Sequence, residues 1–154
     1  MSEIRLFDFG LLVGLASQLV TTSAPSLFLT KDEYIFQQLC RDIFSMEPDV
    51  SGCEIYGQRG QLQRGVDVWA SRQPDQLIEV GQCKRYGTLT ARHVEQATDE
   101  FLEHWGFWKT QGVRRFVLFA ACDISSRKVQ DAILRQRPIF RKKRIKYEAW
   151  GRTT

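Results

Sequence analysis

The sequence predicts an α/β fold, in which helices cover both faces of one mixed β-sheet. Two apolar segments flank a turn at 73–76, as in an antiparallel hairpin. Further along the chain, amphipathic helical segments alternate with apolar strands, and such crossovers add strands to a sheet. One of these strands, 116–122, is apolar throughout, which is typical of a central strand covered on both faces. A length of 154 residues suffices for one domain with its own core.

The first half of the chain predicts one helix followed by three strands. Thr30 and Glu33 match a capping box, which begins a helix, and this helix should end near Pro48. Residues 50–56 form a candidate first strand. The second and third strands flank a turn centred on Pro74-Asp75, because proline presets φ at the first central position of a turn.

The second half predicts a helix, a strand, a helix and a strand in that order. The apolar residues of the first of these helices recur at helical spacing and should face the sheet. The predicted boundaries are a cap at Thr88 or Thr90 for the first helix, a strand at 116–122, a cap at Asp123, Ser125 or Ser126 for the second helix, its end at Pro138, and a final strand at 145–150.

Residues 1–29 are predicted to form a segment of unclear role ahead of a domain at 30–154. Leu11, Leu15 and Leu19 fit one face of a helix that packs on the domain or mediates self-association. No apolar run is long enough to span a bilayer, and acidic residues precede the apolar stretch, unlike in a signal peptide. Four cysteines without a CxxC pair favour reduced thiols. We therefore expect a cytoplasmic protein with no membrane partner.

Three polar residues of the hairpin are predicted to lie together: Asp67, Gln82 and Lys84. Side chains alternate faces along a strand, so Gln82 and Lys84 point the same way. With Pro74-Asp75 as a two-residue loop, counting back along both strands places Asp67 opposite Gln82, unless a bulge shifts the register. Opposed residues share a face about 5 Å apart. A carboxylate, an amide oxygen and an ammonium would therefore converge on one place.

This combination suits metal-assisted cleavage of a phosphodiester. Mg²⁺ prefers oxygen ligands, commonly one or two carboxylates together with water and substrate phosphate. Asp67 would supply the negative charge and Gln82 a further oxygen. Lys84 would stabilise the charge that develops on the phosphate or help to activate the attacking water. The alternative is a hairpin whose Asp, Gln and Lys side chains are exposed and share no role.

The hairpin resembles the PD-(D/E)xK nuclease superfamily, in particular the Mrr-like restriction endonuclease branch that has glutamine in place of the second acid. The matching residues are Gly65-Val66-Asp67, Gln82-Cys83-Lys84 and the glycine-rich segment 56–65. The similarity covers roughly 31–150 and extends to nuclease domains at the N-termini of bacterial antiphage effectors. It implies a restriction-endonuclease-like α/β/α sandwich, with Asp67 and Gln82 in the metal site and Lys84 as the catalytic lysine.

The resemblance also implies an acid of the metal site at the start of the first helix, where Glu33 stands. The alternative is that Glu33 only caps the helix, and both roles are open. The implied cofactor is Mg²⁺, with Mn²⁺ able to substitute. The implied reaction is the attack of water on phosphorus with departure of the 3′ oxygen.

Side chains near this site are expected to contact DNA. Arginine and glutamine contact phosphates and base edges, and glycine lets the backbone approach a partner closely. The predicted DNA-binding residues are Arg59, Gln61, Gln63, Arg64 and Arg85. The alternative for the segment 56–65 is a flexible loop of solvated side chains. A basic run at 141–144 is either a solvated connection or a further phosphate contact, and a net charge of +4 permits nucleic-acid binding.

Together these features predict a Mg²⁺-dependent endonuclease, acting above all on double-stranded DNA, that serves restriction or antiphage defence. Its expected partners are DNA and a homo-oligomer or a larger defence complex. Two alternatives are open. The first is a catalytically silent DNA-binding or assembly module with the same fold, and the second is a junction-resolving or RNA-cutting nuclease with the same site.

Overall fold

The structure, a computed structural model, describes residues 33–58 and 60–152. In chain order the elements are α1 (Glu33–Ser45), β1 (Val50–Ile55), β2 (Val68–Arg72), β3 (Leu77–Lys84), α2 (Ala91–Leu102), α3 (Trp105–Thr110), β4 (Val113–Asp123), α4 (Arg127–Arg141) and β5 (Lys146–Arg152). The predicted segment 1–29 and the predicted cap at Thr30 lie outside the described residues. No helix within the described residues is long and apolar enough to cross a bilayer.

One five-stranded mixed sheet, in the order β1-β2-β3-β4-β5, forms the centre of the domain. The first three strands are an antiparallel meander, and β4 and β5 run parallel to β3. We call the end of the sheet at which β3, β4 and β5 finish the carboxyl edge, and the opposite end the amino edge. β4 is buried along most of its length, as expected of a central strand.

Each face of the sheet has its own apolar core. α1 covers one face, where Phe36 and Phe44 pack against Phe119 and Trp150. α2 and α4 cover the other face, where the rings of α2 and α4 meet those of β4 and β5. Because helices cover both faces of a mixed sheet, the predicted α/β/α architecture is confirmed.

The structure decides between the caps that the sequence left open. Thr90 caps α2, accepting a hydrogen bond from the His93 N–H while the His93 side chain accepts one from the Thr90 N–H. Ser126 caps α4 by accepting from the Val129 N–H. Hydroxyl side chains at these positions satisfy backbone donors that the first turn of a helix leaves without partners.

The end of α4 and the presence of α3 differ from the prediction. Pro138 was expected to end α4, but this helix continues to Arg141. Proline removes only one backbone donor, whereas Phe140 is fully buried and holds the last turn against the core. The short helix α3 was not predicted, because six residues are too few to show a helical period.

A network of three basic and three acidic side chains closes the amino edge on the α1 face. Its members are Arg72, Arg115, Lys146, Glu47, Glu79 and Glu148. Arg115 is central, since its guanidinium donates to Glu47 (2.6 Å), to Glu79 (3.0 Å) and to Glu148. The network therefore joins the end of α1 to four neighbouring strands.

The network lowers the pKa of two of its carboxyl groups. Burial alone would raise the pKa of Glu47, but hydrogen bonds and charge from Arg115 and Arg72 outweigh it and hold the pKa below the ordinary 4.5. Burial would likewise raise the pKa of Glu148, and the charge of Arg115 with a hydrogen bond from Lys146 lowers it instead. Both groups stabilise the fold above about pH 4.5, and this stabilisation is lost as the pH falls.

Replacing Arg115 should be far more destabilising than replacing its neighbour. Arg115→Leu removes the central partner of Glu79 and Glu148, which are nearly inaccessible. We expect the free energy of unfolding, measured by urea denaturation, to fall by about 3–5 kcal/mol. The matched control is Arg114→Leu, because Arg114 is exposed and should change stability by no more than about 0.5 kcal/mol.

Acidification gives a second readout of the same network. The wild type should lose stability below about pH 4.5, and Arg115→Leu should lose less, since its carboxyl groups no longer have their pKa lowered by the guanidinium. Equal destabilisation by the two leucine variants would contradict the role given to Arg115.

Candidate functional site

The β2–β3 hairpin has the predicted register. Val68 lies opposite Gly81 and Arg72 opposite Leu77, which leaves 73–76 as the turn. The strand pairing ends at Val68 and Gly81, so the predicted alignment of Asp67 with Gln82 stays a prediction. The Asp67 N–H donates to the Gly81 carbonyl (2.8 Å), so Asp67 is tied to β3 although β2 begins one residue later.

The Asp67 carboxylate lies between α1 and β3. Its Oδ2 accepts the backbone N–H of Cys83 (2.6 Å), and its Oδ1 accepts Nε2 of Gln37 (3.1 Å). Asp67 is only 8% exposed and Gln37 only 6%. Gln37 was not predicted as a site residue. Its position one helical turn after Glu33, on the same face of α1, is the signal that could have identified it.

Burial raises the pKa of Asp67 to about 6, because a low-dielectric environment disfavours the ionised carboxylate. The Cys83 N–H and the positive charge of Lys84 act in the opposite direction. The negative charges of Glu33 and Glu100 raise the pKa further. The pKa of Asp67 therefore responds to the charges of Glu33, Lys84 and Glu100.

Gln82 and Lys84 lie on the same side of β3, as predicted, and share one partner on α2. Oε2 of Glu100 accepts Nε2 of Gln82 (2.5 Å) and Nζ of Lys84 (2.8 Å). Glu100 was not predicted, since it meets residues 16 and 18 positions away through the chain crossover. No local sequence pattern predicts that contact.

The oxygen of the Gln82 side-chain amide is an unsatisfied hydrogen-bond acceptor. Oε1 of Gln82 is buried and has no hydrogen-bond partner among the described residues. Because Nε2 is bound to Glu100, Oε1 must point away from Glu100. A buried acceptor without a partner costs about 1–3 kcal/mol, so this oxygen is a natural ligand for a cation or a water.

The oxygen donors predicted for the site are of the kind that magnesium prefers. Within the described residues, no group of three or more His, Cys, Asp and Glu side chains is arranged to hold a metal. Mg²⁺ nevertheless is commonly held by one or two carboxylates, with water and substrate phosphate completing its shell. The Asp67 carboxylate, the unmet Gln82 oxygen and Glu33 at the exposed start of α1 match that set of donors.

Three of the predicted DNA-binding side chains make contacts within the protein. Arg64 donates from Nη1 to the Tyr56 hydroxyl (2.7 Å) and lies over the Phe107 ring, 4.0 Å from its centroid. Gln63 donates from Nε2 to the Tyr56 carbonyl (3.3 Å). Oε1 of Gln61 accepts a backbone N–H of the same loop. These side chains hold the loop in shape, and their contacts with DNA stay a prediction.

The remaining predicted contacts differ in position. Arg85 directly follows β3 and is half-buried beside the site, whereas Arg59 lies outside the described residues. The basic run 141–144 follows α4 and precedes β5, so it lies at the amino edge, whereas Lys84 ends β3 at the carboxyl edge. The fold therefore does not bring the basic run to the candidate site.

Gly65 lets the strand that carries Asp67 approach α2. Its φ is +69°, and a Cβ at this position would lie 2.5 Å from the carbonyl oxygen of Glu100. The sequence predicted that the glycines of this segment let the backbone approach DNA closely. At Gly65 the group that lies close is the protein's own helix α2. The approach helps to bring Asp67 and Glu100 into one site.

Gly65→Ala should therefore be more disruptive than the same change in an open glycine of the loop. Gly60→Ala is the matched control, because Gly60 also has a positive φ (+81°) but nothing within 4 Å of an added Cβ. We expect the control to cost about 1–2 kcal/mol from backbone strain alone, and Gly65→Ala to cost at least about 1 kcal/mol more. Thermal or urea unfolding measures both, and equal costs would contradict the close approach to Glu100.

The raised pKa of Asp67 predicts a pH dependence of stability. The folded state holds this proton more tightly than the unfolded state, so the associated stabilisation is present below about pH 4 and is lost as the pH rises through about 6. In EDTA, the wild type should lose up to about 3 kcal/mol relative to Asp67→Asn across this window, measured by urea denaturation.

Magnesium provides the control for that measurement. Above about pH 6, Mg²⁺ should restore stability to the wild type but not to Asp67→Asn, because only the wild type offers an ionised carboxylate. Parallel pH profiles of the two proteins in EDTA would show that Asp67 does not titrate as proposed.

Comparisons with known proteins find no match to this chain among protein-family models, curated proteins or solved structures. The residues around Asp67, Gln82 and Lys84 are therefore the basis on which a function is assigned.

Proposed function

We propose that this chain is a Mg²⁺-dependent endonuclease that hydrolyses phosphodiester bonds of DNA, with double-stranded DNA as the main substrate. The observation that carries the proposal is the unsatisfied Gln82 oxygen, which lies on the strand whose Cys83 N–H binds the buried Asp67 carboxylate. The Lys84 ammonium shares the partner Glu100 with Gln82. Two kinds of oxygen donor and an ammonium at the end of one hairpin suit the charges of a phosphodiester under attack.

In this proposal, Asp67, Gln82 and Glu33 hold the metal. A bound Mg²⁺ would supply positive charge that stabilises the reacting phosphate and favours ionised water as the nucleophile. Gln37 and the Cys83 N–H fix the orientation of the Asp67 carboxylate from both sides. That orientation leaves the carboxylate little freedom to rotate when a ligand binds.

Lys84 and Glu100 have complementary roles. The Lys84 ammonium donates to a non-bridging phosphate oxygen and stabilises the negative charge that grows there in the transition state. Glu100 holds Lys84 before the substrate binds. By accepting Nε2 of Gln82, Glu100 also leaves the Gln82 oxygen available to a metal that would bind there, so Glu100 acts as a positioning residue.

A catalytically silent DNA-binding module is the second candidate, and one observation favours it. Within the described residues no group of three acidic or other metal-binding side chains is arranged as a metal site, and Lys84 is already paired with Glu100. A module that keeps the fold but lacks the reaction would bind DNA without cutting it.

Plasmid cleavage separates the two candidates. Supercoiled DNA should be nicked or linearised with Mg²⁺ and not in EDTA. Lys84→Ala should slow cleavage by about 100-fold or more, because it removes a charge that acts mainly in the transition state. The control is Lys109→Ala, which removes an exposed lysine of α3 and should leave the rate unchanged.

Binding without cleavage, with Mg²⁺ and with Mn²⁺, would favour the silent module. Cleavage that Lys84→Ala and Lys109→Ala affect equally would contradict the role of Lys84. A parallel panel of RNA and branched DNA substrates would identify a junction-resolving or RNA-cutting enzyme, which shares the same site chemistry.

A further inference from the structure

Positive charge is concentrated in one part of the chain. Residues 127–146 contain nine basic residues and one acidic residue, a net charge of +8, whereas the whole chain has a net charge of +4. The other 134 residues, which include every residue of the candidate site, therefore carry a net charge of −4. Long-range attraction of a polyanion must come mainly from 127–146.

The fold gathers the C-terminal half of this charge at the amino edge, where α4 ends and β4 and β5 begin. We call this surface the amino-edge patch. It consists of Arg114, Arg141, Lys142, Lys143, Arg144 and Lys146. All of them are exposed except Lys143, which is half-buried with its ammonium over the Trp105 ring. Arg114 and Lys146 line one cleft of about 310 Å³, so the β4 part of the patch is continuous with the β5 part.

Stability of the fold accounts for only part of this charge, since Lys146 pairs with Glu148. Arg141 and Lys142 stand at the C-terminus of α4, where positive charge favours the helix dipole. Arg114 and Arg144 stand outside any helix and make no ion pair with a described residue. Mutual repulsion between such neighbours makes the patch costly unless an anion is bound.

The amino-edge patch is separate from the candidate site. In β3, Glu79 pairs with Arg115 beside the patch, and Lys84 lies five residues further along the strand. At a rise of about 3.3 Å per residue, the two places are at least about 17 Å apart. One phosphate therefore cannot contact both.

We propose that the amino-edge patch binds the phosphate backbone of a nucleic acid at a place remote from any phosphate that is cleaved. The proposal does not require the chain to be a nuclease. Between 141 and 146 the only apolar residue, Ile145, is buried, so this segment, which supplies most of the patch, exposes charge rather than the apolar surface typical of the centre of protein–protein interfaces. Exposed lysine and arginine supply sequence-independent, salt-dependent affinity for phosphates.

Fluorescence anisotropy of labelled duplex DNA, with the full chain in EDTA, tests this proposal without any contribution from a metal. Lys142→Glu/Arg144→Glu should weaken binding at least about tenfold. It should also reduce the slope of log K against log salt by about 2, because two phosphate contacts are lost. Thermal unfolding checks that the variant is folded, since both side chains are exposed.

The matched control is Arg127→Glu/Lys128→Glu, which changes the same charges at the other end of α4. Both double variants have the same net charge. An equal loss of affinity in the two would therefore overturn the proposal that the amino-edge patch binds DNA, because net charge alone would explain the loss. An unchanged salt slope in Lys142→Glu/Arg144→Glu would also overturn it. The proposal would also be overturned if poly-glutamate bound as tightly as duplex DNA and Lys142→Glu/Arg144→Glu weakened both equally. The partner of the patch would then be an acidic protein surface.

Discussion

The register of the β2–β3 hairpin is the constraint on which the candidate site depends. A slip of one residue would move every side chain of β2 to the opposite face of the sheet and would break the contacts that Asp67 makes with β3. Two contacts oppose such a slip, since the Asp67 N–H binds the Gly81 carbonyl and the Asp67 carboxylate binds the Cys83 N–H. The same hydrogen bonds that fix the strand pairing therefore also fix the acid of the site.

The two ends of the sheet use buried polar groups in different ways. At the amino edge, three basic side chains balance three acidic ones. The basic side chains lower the pKa of the Glu47 and Glu148 carboxyl groups, which is the behaviour of a structural network. At the carboxyl edge, the pKa of Asp67 is raised and the Gln82 oxygen has no partner among the described residues. This electrostatic cost is typical of a place that binds a cation.

Charge is also divided between the parts of the molecule. Glu33, Asp67 and Glu100 make the surroundings of the candidate site acidic, which favours a metal ion but repels a polyanion. The basic residues that offset this repulsion follow α4 and lie at the opposite edge. Long-range attraction of nucleic acid and binding of metal would thus be assigned to separate surfaces, each with the charge that suits its ligand.

The sequence by itself determined the order and type of most elements, the α/β/α architecture and the register of the β2–β3 hairpin, because strand alternation, turn chemistry and helix caps are local. Only the tertiary structure decided what these residues touch. Glu100 and Gln37 join the site through helices that are distant in sequence. Arg64 is engaged by Tyr56 and Phe107, and the basic run lies at the far edge of the sheet. The reason is that packing directions of helices against a sheet depend on the whole core, which no local pattern records.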